Sequence, residues 1–279
     1  INKDIGPILE NIDLQVNTDQ LKSIADLQMV IESVPEDLQL KRQLFSTLDV
    51  LSEEVILGSN TSSFTLSEIT EGMSTAHRAV GMHYFNPAHI IPAVEIHRGP
   101  QTSEDTIAGA RQILESTGKA PIMVKKEVPG FVINRLTGAL EREIDFLLDE
   151  GVVSPQDLDK AVKASLGFRL ACLGPMEAED LIGLDVACRV SGNIFKGLSN
   201  ATEPSPELVE KVSRGELGIK AGQGWYDYSG SSQASVLAAH NARLLRQLSL
   251  FRSEIKDADP SDAEGLTNDP DHKSDNGKS

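Results

Sequence analysis

Cysteine is scarce in this chain. Two occur in 279 residues, Cys172 and Cys188, and neither belongs to a C-x-x-C pair or to a short Cys/His spacing. One bridge is a poor framework for a chain this long, so both are expected to be reduced, buried, small apolar residues in a reducing compartment. The cytoplasm fits best, with mitochondria or peroxisomes left open because the chain begins at Ile1 rather than methionine, which leaves room for a lost leader or segment. Basic charge is also short: 26 Lys and Arg stand against 42 Asp and Glu, for a net charge of -16. No basic stripe able to displace phosphate counterions is present, which argues against nucleic acid as a partner. No apolar run approaches the roughly 20 residues that span a bilayer, and the N-terminus lacks a basic-then-apolar signal pattern. What remains, with 39% apolar residues, is enough for an ordinary core in one large or two moderate domains.

The run MVIESV at 29–34 is short and β-branched, so it reads as a buried strand broken by Pro35. From Asp37 the apolar positions become Leu40, Leu44, Phe45, Leu48 and Leu51, a helical stripe, and VILGSN at 55–60 is the next strand. Strand, helix and strand in this rhythm predict a parallel crossover. A short polar helix at 65–72 is followed by expected strands at 79–85 and 93–99. A helix capped by Thr102 or Ser103, with Ile107, Ala110 and Leu114 inward, precedes a last strand at 121–126.

At Pro129 the period lengthens. Ile133, Leu136, Leu140, Ile144 and Leu147 step by three and four until Gly151. Ser154-Pro155-Gln156-Asp157 is a capping box with proline at the first helical position, opening a helix to about Leu166. A buried-looking helical region at 175–198 and a helix from Ser205-Pro206 to near Gly215 complete an all-helical domain. After a serine-rich linker, an amphipathic helix is expected at 236–255. The remaining tail lacks the apolar surface to offset its ordering entropy and is expected to be disordered.

The stretch 58–99 holds the chemistry. His83 ends a strand and precedes Tyr-Phe-Asn-Pro, where an imidazole could move a proton, and Glu95 could hold its tautomer. A surface or satisfied core histidine is the plainer reading, and spacing by itself does not bring His83 and Glu95 together. Ser59, Asn60, Thr61, Ser62 and Ser63 could grip a hydroxyl or carbonyl oxygen, or could simply cap turns. His77, His89 and His97 repeat no metal-ligand spacing, so no metal is expected. Gly222-Gln223-Gly224 lacks a preceding strand and a following helix and reads as a turn rather than a phosphate loop. The N-x-S/T matches at Asn60 and Asn200 read as chance.

Eight blocks then accumulate in order: VIESVPEDLQLK at 30–41, GSNTSS at 58–63, MHYFNPA at 82–88, VEIHRG at 94–99, VPGFVINRL at 128–136, EGVVSPQDLDKAV at 150–162, LGPMEAEDLIGLD at 173–185 and GIKAGQGWYDY at 218–228. Together they resemble the 3-hydroxyacyl-CoA dehydrogenase family, over roughly residues 25–228. The resemblance implies an α/β, incomplete Rossmann-like domain at 1–127, a helical substrate and dimerisation domain at 128–228, and an extension at 229–279. It implies hydride transfer from C3 of a 3-hydroxyacyl-CoA to NAD, with NADP not excluded. His83 would be the base, Glu95 its orienting carboxylate, and Ser59 and Asn134 the groups holding the substrate oxygen. Glu36, Lys41, Ser59, Asn86 and Lys220 fall where the family contacts NAD, and a homodimer would form through the helical domain.

One departure stands against these matches. The family begins with a strand, a G-x-G-x-x-G turn and a helix that receives the pyrophosphate, whereas residues 1–57 contain only Gly6. The chain as written is therefore expected to be an N-terminally incomplete dehydrogenase with weak or absent NAD binding. Two rivals remain: a dehydrogenase of sugar acids or carnitine from the same superfamily, and a non-catalytic structural or binding protein derived from it.

Overall fold

The computed structural model describes residues 18–257; the expected disordered tail beyond lies outside the described residues. Contacts divide the chain into two units, the first ending at Leu136 and the second starting at Thr137.

In the first unit, five strands lie side by side in chain order. They are β1 (Met29–Glu32), β2 (Ile56–Ser59), β3 (Ala79–Tyr84), β4 (Ala93–His97) and β5 (Ala120–Val124). β1, β2 and β3 are mutually parallel, β4 runs antiparallel to β3, and β5 is parallel to β4. The parallel steps need crossovers, and α1 (Leu38–Leu48) supplies the first of them, as the strand–helix–strand rhythm predicts. β3 and β4 need none, because a loop through Asn86-Pro87 reverses the chain, and that reversal is what sets two sequence-distant side chains opposite each other.

Alternation along the strands sorts the core into two clusters. Leu57 and Ala79 join Phe45, Leu48, Leu51, Val55, Leu66 and Ile69 in one. Val80, Met82, Val94 and Ile96 join Ile107, Ala110 and Leu114 of α3 (Glu104–Ser116) in the other. At about 1.5–3 kcal/mol for each large side chain buried, these clusters are the main source of stability in this unit. The stripe of α1 differs from the expected one at one place. Leu40 is exposed and Lys41 is fully buried instead, because two carboxylates await it there. Arg78 is the other buried cation, donating to Thr75 Oγ1 and to the carbonyls of Leu48, Asp49, Leu51, Ser52 and Val55.

A four-residue helix, α2 (Leu66–Ile69), opens on a Thr65/Glu68 capping box. α4 (Ile133–Asp149) leads out of the first unit, and Gly151 at φ 63° follows its end. In the helical unit, α5 (Pro155–Ala164) is capped by Ser154 as expected but ends two residues early, and α6 (Leu166–Leu170) follows at once. The expected 175–198 region divides at Gly183, φ 99°, into α7 (Pro175–Ile182) and α8 (Leu184–Ile194). α9 (Pro206–Ser213) is capped by Ser205, and α10 (Gln233–Asp257) is longer at both ends than its apolar stripe suggests. The 175–198 region is not buried: Leu181 is 72% exposed and Phe195 68%, and Phe168 of α6 is 71% exposed. Its apolar face is real, but nothing among the described residues of this unit covers it. Cys172 and Cys188 are free, as expected, yet exposed rather than buried: Cys188 lies on α8, and Cys172 in the turn between α6 and α7.

Candidate active site

The antiparallel pairing of β3 with β4 sets His83 directly opposite Glu95. Residues facing each other across such a pair share one side of the sheet, so their side chains meet. His83 Nδ1 lies 2.8 Å from Glu95 Oε2, and both side chains are buried. Glu95 has a second task. Its Oε1 accepts the backbone N–H groups of Val132 and Ile133, both at 2.9 Å, and so caps α4. A carboxylate anchored by two amides holds the imidazole in one orientation. With Nδ1–H given to Glu95, Nε2 is left as the nitrogen able to accept a proton.

Asn134 is the second residue of α4, one step past an amide that Glu95 holds, and its side chain is exposed. The chain thus places Asn134 beside the dyad with its amide unspent among the described residues. Ser59, at the end of β2, is fully buried and donates to Glu32 Oε2 at 2.6 Å. Asn60 accepts from the Tyr84 amide and so ties the end of β3, next to His83, to β2.

The rest of the serine-rich run is taken up by Glu36. Thr61 Oγ1, Ser62 N, Ser63 N and Ser63 Oγ all donate to its Oε1. Burial works against the Glu36 charge, but hydrogen bonds from Thr61 and Ser63 and the nearby Lys41 outweigh it and lower the pKa from 4.5 to about 2. Lys41 Nζ is 2.8 Å from Glu32 and 3.3 Å from Glu36 and has no exposed surface. Asn86 is exposed at the head of the loop after β3, and Lys220 is exposed in a loop of the helical unit.

Three residues escaped sequence reasoning. Glu32 joins Lys41, Ser59 and the Val34 amide. Its signal was available, as an acid inside the apolar run MVIESV. Phe131 lies between two imidazoles, stacked on His97 at 4.0 Å and tilted against His83 at 5.6 Å. His97 itself, weighed above only as a metal ligand, is fully buried with both ring nitrogens unpartnered among the described residues.

Burial, and after it the His83 imidazole, pushes His97 from 6.5 down to about 4. The folded chain therefore keeps His97 neutral where the unfolded chain takes up a proton. Stability is unaffected above about pH 6.5, falls as pH drops toward 4, and levels off below, for a total of up to about 3 kcal/mol from this group. Urea unfolding of wild type and His97→Leu at pH 7 and pH 4.5 checks this, with wild type expected to lose more stability between the two.

The resemblance to NAD enzymes calls for a helix N-terminus that receives a pyrophosphate. Each α-helix that begins among the described residues of the first unit instead opens on a carboxylate. Asp37 caps α1, Glu68 and Glu127 bind the first amides of α2, Glu104 and Asp105 fill the first turn of α3, and Glu95 caps α4. Negative charge already satisfies these ends, so the described residues do not fit the pyrophosphate.

Comparison with known proteins identifies the family. Residues 2–128 match the 3-hydroxyacyl-CoA dehydrogenase NAD binding domain, and residues 130–228 match the C-terminal domain of the same family. A 5-formyl-3-hydroxy-2-methylpyridine 4-carboxylate 5-dehydrogenase from Mesorhizobium japonicum is 38% identical over 224 residues, covering 80% of this chain and 72% of the relative. A probable 3-hydroxybutyryl-CoA dehydrogenase from Bacillus subtilis is 34% identical over 210 residues, 75% of this chain and 72% of the relative. Among solved structures, a 5-formyl-3-hydroxy-2-methylpyridine 4-carboxylic acid 5-dehydrogenase, described as an NAD+ dependent dismutase, superposes with a TM-score of 0.76 at 36% identity. That match covers 82% of this chain and 74% of the other. With both of the family's domains matched in order, and an imidazole held by a carboxylate where the sheet reverses, the chain belongs to the 3-hydroxyacyl-CoA dehydrogenase family of NAD-dependent oxidoreductases.

Proposed function

We propose that the protein interconverts an L-3-hydroxyacyl-CoA and its 3-keto ester, with His83 as the proton carrier. The observation that carries this reading is the His83–Glu95 pair, whose geometry leaves Nε2 free to accept a proton. In the oxidising direction Nε2 takes the C3 hydroxyl proton, and Glu95 stabilises the imidazolium that forms. In the reducing direction the imidazolium donates to the developing alkoxide. NAD supplies the hydride acceptor when bound. Asn134 and Ser59 are the proposed holders of the substrate oxygen. Ser59 must first exchange its bond to Glu32, which makes Glu32 the residue that keeps that hydroxyl in place.

Glu36, Asn86 and Lys220 are the proposed contacts to NAD, with Lys41 behind Glu36 as a support. For Lys41, which is buried against Glu32 and Glu36, the contribution would be to fix Glu36 rather than to touch the cofactor. Carboxylates at the N-termini of the four α-helices that begin among the described residues of the first unit support weak NAD binding. A second reading is favoured by one observation: the pyridine 4-carboxylate dehydrogenase is more identical to this chain than the 3-hydroxybutyryl-CoA dehydrogenases. The substrate would then be a ring-bound aldehyde rather than an acyl-CoA.

One assay addresses both readings. Loss of substrate is followed together with NADH formation, with NAD in excess, using L-3-hydroxybutyryl-CoA and 5-formyl-3-hydroxy-2-methylpyridine 4-carboxylate side by side, because a dismutation of the aldehyde would regenerate NAD. The first reading expects the CoA ester to lead by at least about tenfold in kcat/KM, with a KM for NAD at or above about 1 mM, the weak end of the usual range. A lead for the pyridine selects the second reading, and tight NAD saturation rejects weak cofactor binding.

The uncovered apolar face of the helical unit supports a homodimer. Phe168, Leu181 and Phe195 are each about two-thirds exposed or more, an apolar surface of a kind that marks an interface. Sedimentation equilibrium is expected to give twice the chain mass, and Leu181→Glu to shift it toward monomer. A wild-type monomer at micromolar concentration would reject the dimer.

A further inference from the structure

Beyond the dyad lies a second buried imidazole whose presence the proton chemistry does not explain. His97 is two residues after Glu95 on β4, so both point to the same face of the sheet. Its cross-strand partner is Gly81, two residues before His83. A Cβ at Gly81 would lie 1.8 Å from His97 Nε2 and 2.0 Å from Cε1. The ring therefore occupies the space that a side chain at position 81 would take. Leaving two ring nitrogens unpartnered in the core is costly, and an aliphatic residue would avoid that cost. A flat ring does something an aliphatic residue cannot: it offers a face.

That face carries Phe131, whose ring is 4.0 Å away at an interplanar angle of 26°. Phe131 is the one non-glycine residue with positive φ, 48°, among the described residues, and it follows Gly130 at 77°. A bulky side chain in the left-handed region is strained and persists only where its surroundings hold it. The next two residues, Val132 and Ile133, are those whose amides bind Glu95. The stack on His97 thus fixes the turn that presents both amides, and the other side of Phe131 lies against His83. The charged and titratable groups around His97 are His83 on β3, Glu95 on its own strand and Glu127, whose Oε1 is 3.9 Å from Nδ1.

We propose that His97 is a positioning residue for His83: seated over Gly81, it is the bed on which Phe131 lies, and through Phe131 it keeps the Val132 and Ile133 amides on Glu95, so that Glu95 holds the imidazole in one orientation. The kinetic part of this proposal rests on His83 being the proton carrier. The structural part does not.

Amide hydrogen exchange and side-chain nitrogen NMR of the ligand-free full chain test it, in His97→Ala and in His97→Asn, which keeps a small planar group over Gly81 should the alanine variant not fold. The expected result is at least about tenfold faster exchange at Val132 and Ile133, exchange at Val94 and Ile96 within about twofold of wild type, and loss of the single Nδ1–H tautomer of His83. Unchanged exchange at Val132 and Ile133, or acceleration of the whole sheet together, overturns the proposal, because His97 would then be idle or merely a packing residue. With NAD in excess, kcat is expected to fall with KM for the acyl-CoA little changed. If wild type turns over no hydroxyacyl-CoA, the functional reading fails while the exchange result still decides the role of His97.

Discussion

His83→Gln lowers kcat by about 10³-fold, in the middle of the range that a positioned acid–base group contributes, while KM for the hydroxyacyl-CoA changes little. Glutamine has nearly the reach of histidine and can still donate to Glu95 Oε2, so the cap on α4 and the fold around it stay intact. What it lacks is a basic ring nitrogen to carry the proton. Steady-state kinetics in both directions checks this, and turnover within about tenfold of wild type would remove His83 from the proton path. His83 is a cleaner target than Glu95. Changing Glu95 also unties Val132 and Ile133, so a slower Glu95→Gln enzyme would mix lost catalysis with a loosened helix start.

Arg78→Met is expected to cost about 3–5 kcal/mol of stability, the scale of removing one partner from a buried, charge-assisted network. Methionine fills much of the volume of arginine but donates no hydrogen bonds. The carbonyls of Leu48, Asp49, Leu51, Ser52 and Val55 would lose their shared donor, although Leu48 and Ser52 keep the backbone amides of Leu51 and Val55 as partners. Each buried acceptor left without a partner costs about 1–3 kcal/mol, and relaxation toward water recovers part of the total. These carbonyls belong to the turn that brings the chain from α1 into β2 and thus to Ser59. Urea unfolding measures the loss, and a change below about 1 kcal/mol would mean that the carbonyls find other partners.

Much of the first unit was legible because its strands and helices differ in period. The parallel crossover through α1 and the inward face of α3 follow from local pattern, as does the capping of α5 by Ser154 in the helical unit. The pairing of His83 with Glu95 was not legible from spacing. It depends on the antiparallel turn between β3 and β4, which a proline-containing loop allows but does not dictate. Burial was misread in opposite directions for two reasons. Lys41 replaced Leu40 at the core because Glu32 and Glu36 surround that position, and charge pairing is invisible to a hydrophobic stripe. Cys172 and the 175–198 region read as interior because their residues are apolar, although the described residues leave that face uncovered. His97 was hidden for a different reason. Its partner is a glycine, whose absent side chain makes the space, and its effect is transmitted through a strained phenylalanine 34 residues later.

The central claim is that His83 Nε2 handles the proton of the substrate oxygen. A crystal structure of the protein with acetoacetyl-CoA tests it most directly. The C3 oxygen is predicted to lie about 2.6–3.2 Å from His83 Nε2, with the Asn134 amide also on that oxygen. A CoA ester bound with its C3 oxygen out of reach of His83, and not bridged to it by one water, would contradict the account.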